Sequence, residues 1–218
     1  MIHFTSDPHF WHSNIIEYCR RPFKDAAQMN EVLVSKWRER VHPEDTVYVL
    51  GDVGFCGRGK LELIMSCLPG HKHLILGNHD YERNGKPKKE TVQFFETVND
   101  YLQISVSGQE IHLFHYPVKS WPNMEKGSWL LYGHVHGGEP WGKSIDVGVD
   151  AHDFAPVSFD EVERIMSNQP LIRSGLPSML PPQKGQIVVV QHPISGGVQA
   201  VELDNPRKKI YVEGAGGD

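Results

Sequence analysis

The chain has no uninterrupted apolar run of about 18 residues, the length a membrane-spanning helix needs. No basic, apolar leader opens it either. Met1 leads straight into Ile2-His3-Phe4-Thr5-Ser6-Asp7, so the expected location is cytoplasmic and no membrane partner is expected. Cysteine is scarce. Cys19, Cys56 and Cys67 are odd in number and scattered, which excludes a disulfide framework and a zinc ribbon. Positive charge is also short, with 22 Lys and Arg against 27 Asp and Glu and a net charge of −5. No general basic field exists to hold long nucleic acid. There is no internal repeat. Within these exclusions lies an ordinary globular chain of 218 residues, 39% hydrophobic and 22% charged, able to bury one sizeable core and a small appendage.

Histidine is what the chain has in excess: 13 residues, several beside Asp or Asn at the ends of apolar runs. That distribution opens metal or acid–base chemistry. Taken in order, residues 2–6 read as a strand stopping at Asp7-Pro8-His9. Asn14 to Cys19 reads as a short helix with Asn14 as N-cap. A second helix follows Asp25, with Met29, Val32, Leu33, Trp37 and Val41 on one face. Thr46–Leu50 is a strand ending at Gly51-Asp52, Leu61–Leu68 a helix closed by Pro69-Gly70, and residues 73–76 a strand ending at Gly77-Asn78-His79-Asp80. Apolar strands separated by helices predict a buried, largely parallel sheet. Glu90–Val98 reads as a further helix, Tyr101–Val106 and Glu110–Phe114 as a hairpin, and Leu130–Tyr132 and Ile145–Val149 as strands. Ser158 and Glu161 form a capping box that opens a helix to about Asn168. The expected class is α/β with two sheets.

A boundary is expected near residue 170. Beyond it Pro177, Pro181 and Pro182 resemble a linker, and short β runs follow at 187–190, 198–203 and 210–212. The glycine-rich terminus is expected to be disordered. Residues 171–218 therefore read as a β-rich extension: an appendage, an added sheet edge, or a surface for homo-oligomer formation.

The polar residues closing the strands form one set: Asp7, His9, Asp52, Asn78, His79, His115, His134 and His136. A lone strand histidine is more often packed and hydrogen-bonded, the reading given to His3, His42, His71, His73, His112 and His192. The joint set differs. It offers carboxylates, an amide and imidazoles without thiolate, a mixture suited to Mn, Fe, Co, Ni or Zn rather than to structural zinc. It holds too many ligands for one ion with an open position. Two ions roughly 3.5–4 Å apart, sharing a carboxylate, would use them all.

Asp7-x-His9, Gly51-Asp52, Gly77-Asn78-His79-Asp80, His115 in His-Tyr-Pro, and Gly133-His134-Val135-His136 resemble, motif for motif, the calcineurin-like metallophosphoesterases. The resemblance spans roughly residues 1–165 and implies a four-layer α/β/β/α sandwich. It also implies two divalent ions, Mn²⁺ first among the candidates with Fe²⁺, Ni²⁺, Co²⁺ and Zn²⁺ behind it. Asp7, His9 and His136 would hold one ion, Asn78, His115 and His134 the other, and Asp52 would bridge. A hydroxide between the ions attacks phosphorus, His79 assists the leaving group, and Asp80 orients His79 or holds the loop.

The second motif here lacks the arginine of the Ser/Thr protein phosphatases, and the third ends in Asp80 rather than Glu. The chain therefore looks closer to small bacterial and phage phosphodiesterase-like members, with a small phosphodiester or nucleotide-like substrate. A nucleotide pyrophosphatase, a nuclease or a non-catalytic scaffold are the alternatives. His12, Arg20, Arg21 and Arg58 are candidate substrate contacts, and Trp121, Trp129 and Trp141 could stack on a base.

Overall fold

In the computed structural model of the chain, residues 1–172 are described in full, and 187–191 and 198–202 as backbone. The chain divides into two units, Met1–Arg173 and Ser174–Asp218. The first opens with β1 (Ile2–Thr5), α1 (Ser13–Tyr18), α2 (Ala26–Arg40), β2 (Thr46–Val49), α3 (Arg58–Met65) and β3 (His71–Ile75). These strands run parallel, with Phe4 opposite Tyr48 and Tyr48 opposite His73. After the single-turn α4 (Lys89–Val92), β4 (Thr97–Asn99) adds in parallel at the β3 edge.

At Asp100 the chain passes to a second sheet of β5 (Tyr101–Val106), β6 (Gln109–Phe114), β7 (Trp129–Tyr132) and β8 (Ser144–Asp146), in that spatial order. β5 and β6 form the expected hairpin. Ser107 and Gly108 both have positive φ, the requirement of a two-residue turn whose twist matches its strands. β7 and β8 follow in parallel. Finally β9 (Val157–Ser158) pairs antiparallel with β1, completing the first sheet in the order β4-β3-β2-β1-β9. α5 (Phe159–Ser167) follows, its first turn closed by the reciprocal bonds of Ser158 and Glu161.

Successive residues of a strand face opposite ways, and the first sheet uses both faces. Val47, Val49 and Leu74 meet Met29, Leu33 and Trp37 of α2 and Leu61 and Ile64 of α3 in one core. Phe4 and Ile75 point the other way, to Ile111, Leu113, Leu131 and Ile145 of the second sheet and Phe159, Val162 and Met166 of α5. This is the two-sheet sandwich flanked by helices that the sequence predicts.

Two expectations fail locally. The helix read at Glu90–Val98 is only one turn, and Val98 lies in β4 opposite Leu74. β-Branched Thr97 and Val98 gain a sheet edge that an isolated helix cannot offer. α1 starts at Ser13, with His12 rather than Asn14 at the N-cap, because the His12 N–H is already bonded to His9 O at 3.0 Å.

In the second unit, β10 (Ile187–Gln191) and β11 (Val198–Glu202) form an antiparallel pair, close to the runs read at 187–190 and 198–203. The prolines, the run at 210–212 and the glycine-rich terminus lie outside the described residues. Among the described residues, no helix is long and apolar enough to cross a membrane.

Candidate metal centre

The polar set follows the carboxyl ends of β1, β2, β3, β6 and β7, where parallel sheets build ligand sites. The loops there are laced together. Asp7 N–H donates to Gly51 O (3.0 Å), His9 N–H to Asp52 O (3.1 Å) and Phe10 N–H to Val53 O (2.9 Å). Asp80, buried, accepts from the N–H groups of Gly77 (2.9 Å), Asp52 (2.8 Å) and Val53 (3.1 Å), joining the loops after β2 and β3. Asp7 Oδ2 accepts His134 N–H at 2.8 Å and brings in the loop after β7. That approach requires glycine at 133, where a Cβ would fall on Ser6 Oγ and Asp7 Oδ2.

The backbone is strained at the same place. Asp7, His9, Asp52, His134 and His136 have φ of 56°, 51°, 55°, 72° and 52°. Left-handed conformations in non-glycine residues cost of order 1–3 kcal/mol each and cluster at functional sites. Here they turn the side chains into one pocket.

Two ligand groups result. One joins Asp7, His9 and His136; the other joins Asp52, His115 and His134. Within each, the ligand atoms lie no more than 4.8 Å apart. Asn78 Oδ1 is 3.1 Å from His115 Nε2, beside the second group. Asp52 faces both: Oδ2 is 3.6 Å from His9 Nε2, and Oδ1 is 3.7 Å from His115 Nε2.

Two observations test whether divalent ions fit. Asp7 Oδ1 and His9 Nε2 are buried, have no hydrogen-bond partner among the described residues, and face each other at 3.7 Å. Unpartnered buried acceptors are costly unless a cation sits between them. Two of the imidazoles are also oriented: His115 Nδ1 donates to Leu50 O at 2.6 Å and His136 Nδ1 to Asp150 Oδ2 at 2.7 Å, which leaves Nε2 as the ring nitrogen offered to the centre. Burial lowers the His136 pKa, but the Asp150 hydrogen bond and the Asp7 charge outweigh it and raise it, so ion binding there would compete with a proton. Burial pushes His9 below the ordinary imidazole value, which favours its neutral form. Burial opposes the Asp7 carboxylate, but the neighbouring His9 and His115 outweigh it and hold the pKa low. These are the ligating forms. The residues fit.

Asp150 emerges only in three dimensions. Its carboxylate takes two hydrogen bonds from the buried Arg21, 2.8 Å from Nε and 2.7 Å from Nη2, besides that of His136. Arg21 also donates to Asp7 O at 2.8 Å and Pro8 O at 3.1 Å. Arg21 is thus a brace for the first metal loop and not a substrate contact. A signal for Asp150 existed: it closes the apolar run Ile145–Val149 as Asp52 closes Thr46–Leu50. Cys19 lies near His136 and Asp150. Burial and then the Asp150 charge push its thiol up to about 11, which favours the protonated thiol in the metal-free protein.

A pocket of about 690 Å³ opens over the centre, lined by His9, Asp52, His134 and His136 and by His12, Tyr18, Arg20, Phe55 and His79. His79 reaches it with its backbone N–H bonded to Asp52 Oδ1 at 2.9 Å and its ring Nε2 3.9 Å from Asp52 Oδ2. His12 sits on the wall. Burial, then the charges of His9 and His79, push its pKa down to about 4, so it offers a neutral hydrogen-bonding ring and not a positive charge.

The other expected contacts are not brought in. Arg58 is exposed in the first turn of α3, 4.0 Å from Glu62 and away from the pocket lining. Trp121 and Trp129 are buried packing residues, and Trp141 is exposed with Nε1 on Lys119 O. Asp80 does not touch the His79 ring; its carboxylate is spent on the three backbone N–H groups. Of the histidines set aside as structural, His3, His71, His73 and His112 are bonded to Asp45, Glu96, Thr97 and Glu110, and His192 is outside the described residues.

The fold and the clustered carboxylates and imidazoles are those of a protein that could bind divalent ions, and the comparison with known families gives the class. The chain belongs to the calcineurin-like phosphoesterase family, whose model matches residues 1–211, further than the motifs extend. It is a phosphoesterase, of a family that works with divalent metal ions. It is 31% identical over 183 residues to an uncharacterized protein of Methanocaldococcus jannaschii, covering 79% of this chain and 95% of that one. It is 30% identical to the Gene 66 protein of Mycobacterium phage D29, covering 76% and 95%. Among solved structures, a protein of unknown function from Aquifex aeolicus aligns with a TM-score of 0.62 at 30% identity, covering 76% of this chain and 98% of that one.

Proposed function

We propose that the protein is a phosphodiesterase with two divalent ions, Mn²⁺ by preference, acting on small or nucleotide-like diesters. Asp7, His9 and His136 would hold one ion and Asn78, His115 and His134 the other, with Asp52 shared. The observation that carries this is Asp52, buried between the groups with one oxygen toward His9 and the other toward His115. Ions bound there supply positive charge for the phosphoryl oxygens and a water ionised near neutral pH. The donor set is nitrogen and oxygen only, which suits Mn²⁺.

The chain's own contribution is orientation and proton transfer. His79 faces the pocket without belonging to either ligand group. As the phosphorus–oxygen bond breaks, its electron pair goes to the leaving oxygen and a proton from the His79 imidazolium joins it. The water consumed supplies the oxygen of the new phosphomonoester and the proton that restores His79. A diester, with a single negative charge, is the favoured class because Arg21 is committed to Asp150 and Arg58 is elsewhere, which leaves Arg20 as the one guanidinium lining the pocket among the described residues. The pocket volume accommodates a nucleotide-sized group.

The test is hydrolysis of bis(p-nitrophenyl) phosphate with Mn²⁺. Activity should vanish with chelator, return with Mn²⁺, and fall at least 10³-fold in Asp52→Asn, on the order of ~4 kcal/mol of lost transition-state stabilisation. Full activity in Asp52→Asn would refute the shared-ligand reading.

A further inference from the structure

His79 has a pinned backbone and an unpinned ring. Its N–H donates to Asp52 Oδ1 at 2.9 Å and its carbonyl accepts from Lys88 Nζ at 2.7 Å. Neither ring nitrogen has a hydrogen-bond partner among the described residues, and the side chain is 43% exposed. The carboxylate in ion-pair range, Asp52, already faces both ligand groups. An acid with two free side-chain torsions would spend much of its time aimed away from the substrate.

The ring that meets it most closely is Phe55, with centroids 4.6 Å apart and planes at 57°, while His9 and His12 lie at 5.8 and 6.5 Å. On its other contacts Phe55 stacks with His12 at 3.9 Å and 23°, and lies 5.5 Å from His9. Lys88 Nζ sits 5.5 Å over the Phe55 face, so one ammonium group joins the shelf to the His79 carbonyl. The shelf is itself anchored. Phe55 N–H donates to Phe10 O at 2.9 Å, and Gly54 bridges Phe10. Phe10 is in turn bonded through its N–H to Val53 O, beside Asp52.

We propose that Phe55, held between His12 and His79, is a positioning residue that aims the His79 imidazole at the leaving group. The inference rests on the phosphodiesterase reading and deepens it: an aromatic shelf replaces the hydrogen-bonded carboxylate that commonly orients a catalytic histidine.

Leaving-group dependence tests it with the full chain and Mn²⁺. Methyl p-nitrophenyl phosphate expels an oxygen that needs little protonation; methyl phenyl phosphate expels one that needs it more. His79→Ala should lose roughly 10²–10⁴-fold in kcat on the phenyl ester and far less on the nitrophenyl ester. Phe55→Leu, which keeps most of the apolar volume, should show the same selective loss at about 10–100-fold, and Phe55→Tyr should restore it. Equal losses on both esters in Phe55→Leu, or none on either, overturn the positioning role while the phosphodiesterase reading stands. An unselective loss in His79→Ala removes the acid role and this inference with it while the phosphodiesterase reading stands; no turnover by the wild-type chain overturns both.

Discussion

Replacing Asp150 with asparagine keeps the shape of the side chain and removes its charge. The carboxylate accepts three hydrogen bonds, from Arg21 Nε, Arg21 Nη2 and His136 Nδ1. Burial works against its ionisation, but His136 and Arg21 outweigh that and hold its pKa below the ordinary value. An amide has one oxygen for three donors. Arg21, whose side chain is 0% exposed, is left with half its partner. Removing one member of a buried pair costs roughly 3–5 kcal/mol, and the retained amide oxygen brings this to about 2–3 kcal/mol. At about 2–4 °C per kcal/mol for a chain of this size, the melting temperature should fall by about 4–12 °C.

The second effect is on the metal. The NH₂ of the introduced amide can donate to His136 Nδ1 only if the imidazole proton moves to Nε2, the nitrogen meant for the ion. Loss of such an outer partner typically lowers metal affinity about 10–100-fold. Urea unfolding of the metal-free chain measures the first effect, and calorimetric titration with Mn²⁺ the second. Unfolding within 0.5 kcal/mol of wild type (about the scatter of surface substitutions), together with unchanged Mn²⁺ affinity, would refute the argument.

Three further outcomes follow from the same geometry. Gly133→Ala places a methyl group on Ser6 Oγ and Asp7 Oδ2; it should cost about 1–3 kcal/mol in urea unfolding and abolish saturable Mn²⁺ binding. Asp80→Asn sets an NH₂ group against the Val53 N–H, or against those of Gly77 and Asp52 if the amide is turned the other way. A loss of about 2–4 kcal/mol is expected by the same assay, with diesterase kcat falling too because the loops carrying Asp52 and Asn78 lose their tie. For Glu161, burial raises the carboxyl, but the Ser158 N–H, Arg40 and the Ser158 hydroxyl together lower it from 4.5 to about 2. A depressed carboxylate stabilises the fold above the unfolded value and ceases to do so as the pH falls through the folded one. The shift would correspond to roughly 3 kcal/mol if fully buried; with Arg40 42% and Glu161 29% exposed, about 1–2 kcal/mol is expected. Glu161→Gln should therefore be less stable than wild type at pH 7, with the difference shrinking as pH drops from 4.5 toward 2. A difference constant across that range would remove the carboxylate from the account.

The sequence alone determined most of the order of elements, β4 and β9 excepted, and the positions at which polar residues close apolar strands. Both are local: strand and helix periods are written in consecutive side chains, and Asp7, Asp52, Asn78, His115, His134 and His136 each mark a strand's end. Parallel pairing then brings such ends to one edge of the sheet, so which residues would gather there was legible before their geometry. Only the tertiary structure decided the rest. Val98 left its helix because a strand edge was available beside Leu74, and Asp80 was drawn from His79 to three backbone N–H groups converging from two loops. Arg21 was taken from the substrate by Asp150, 129 positions along the chain. Phe55 met His79 because two loops after neighbouring strands pack face to face. Contacts of that kind depend on side chains distant in sequence whose approach no local period encodes.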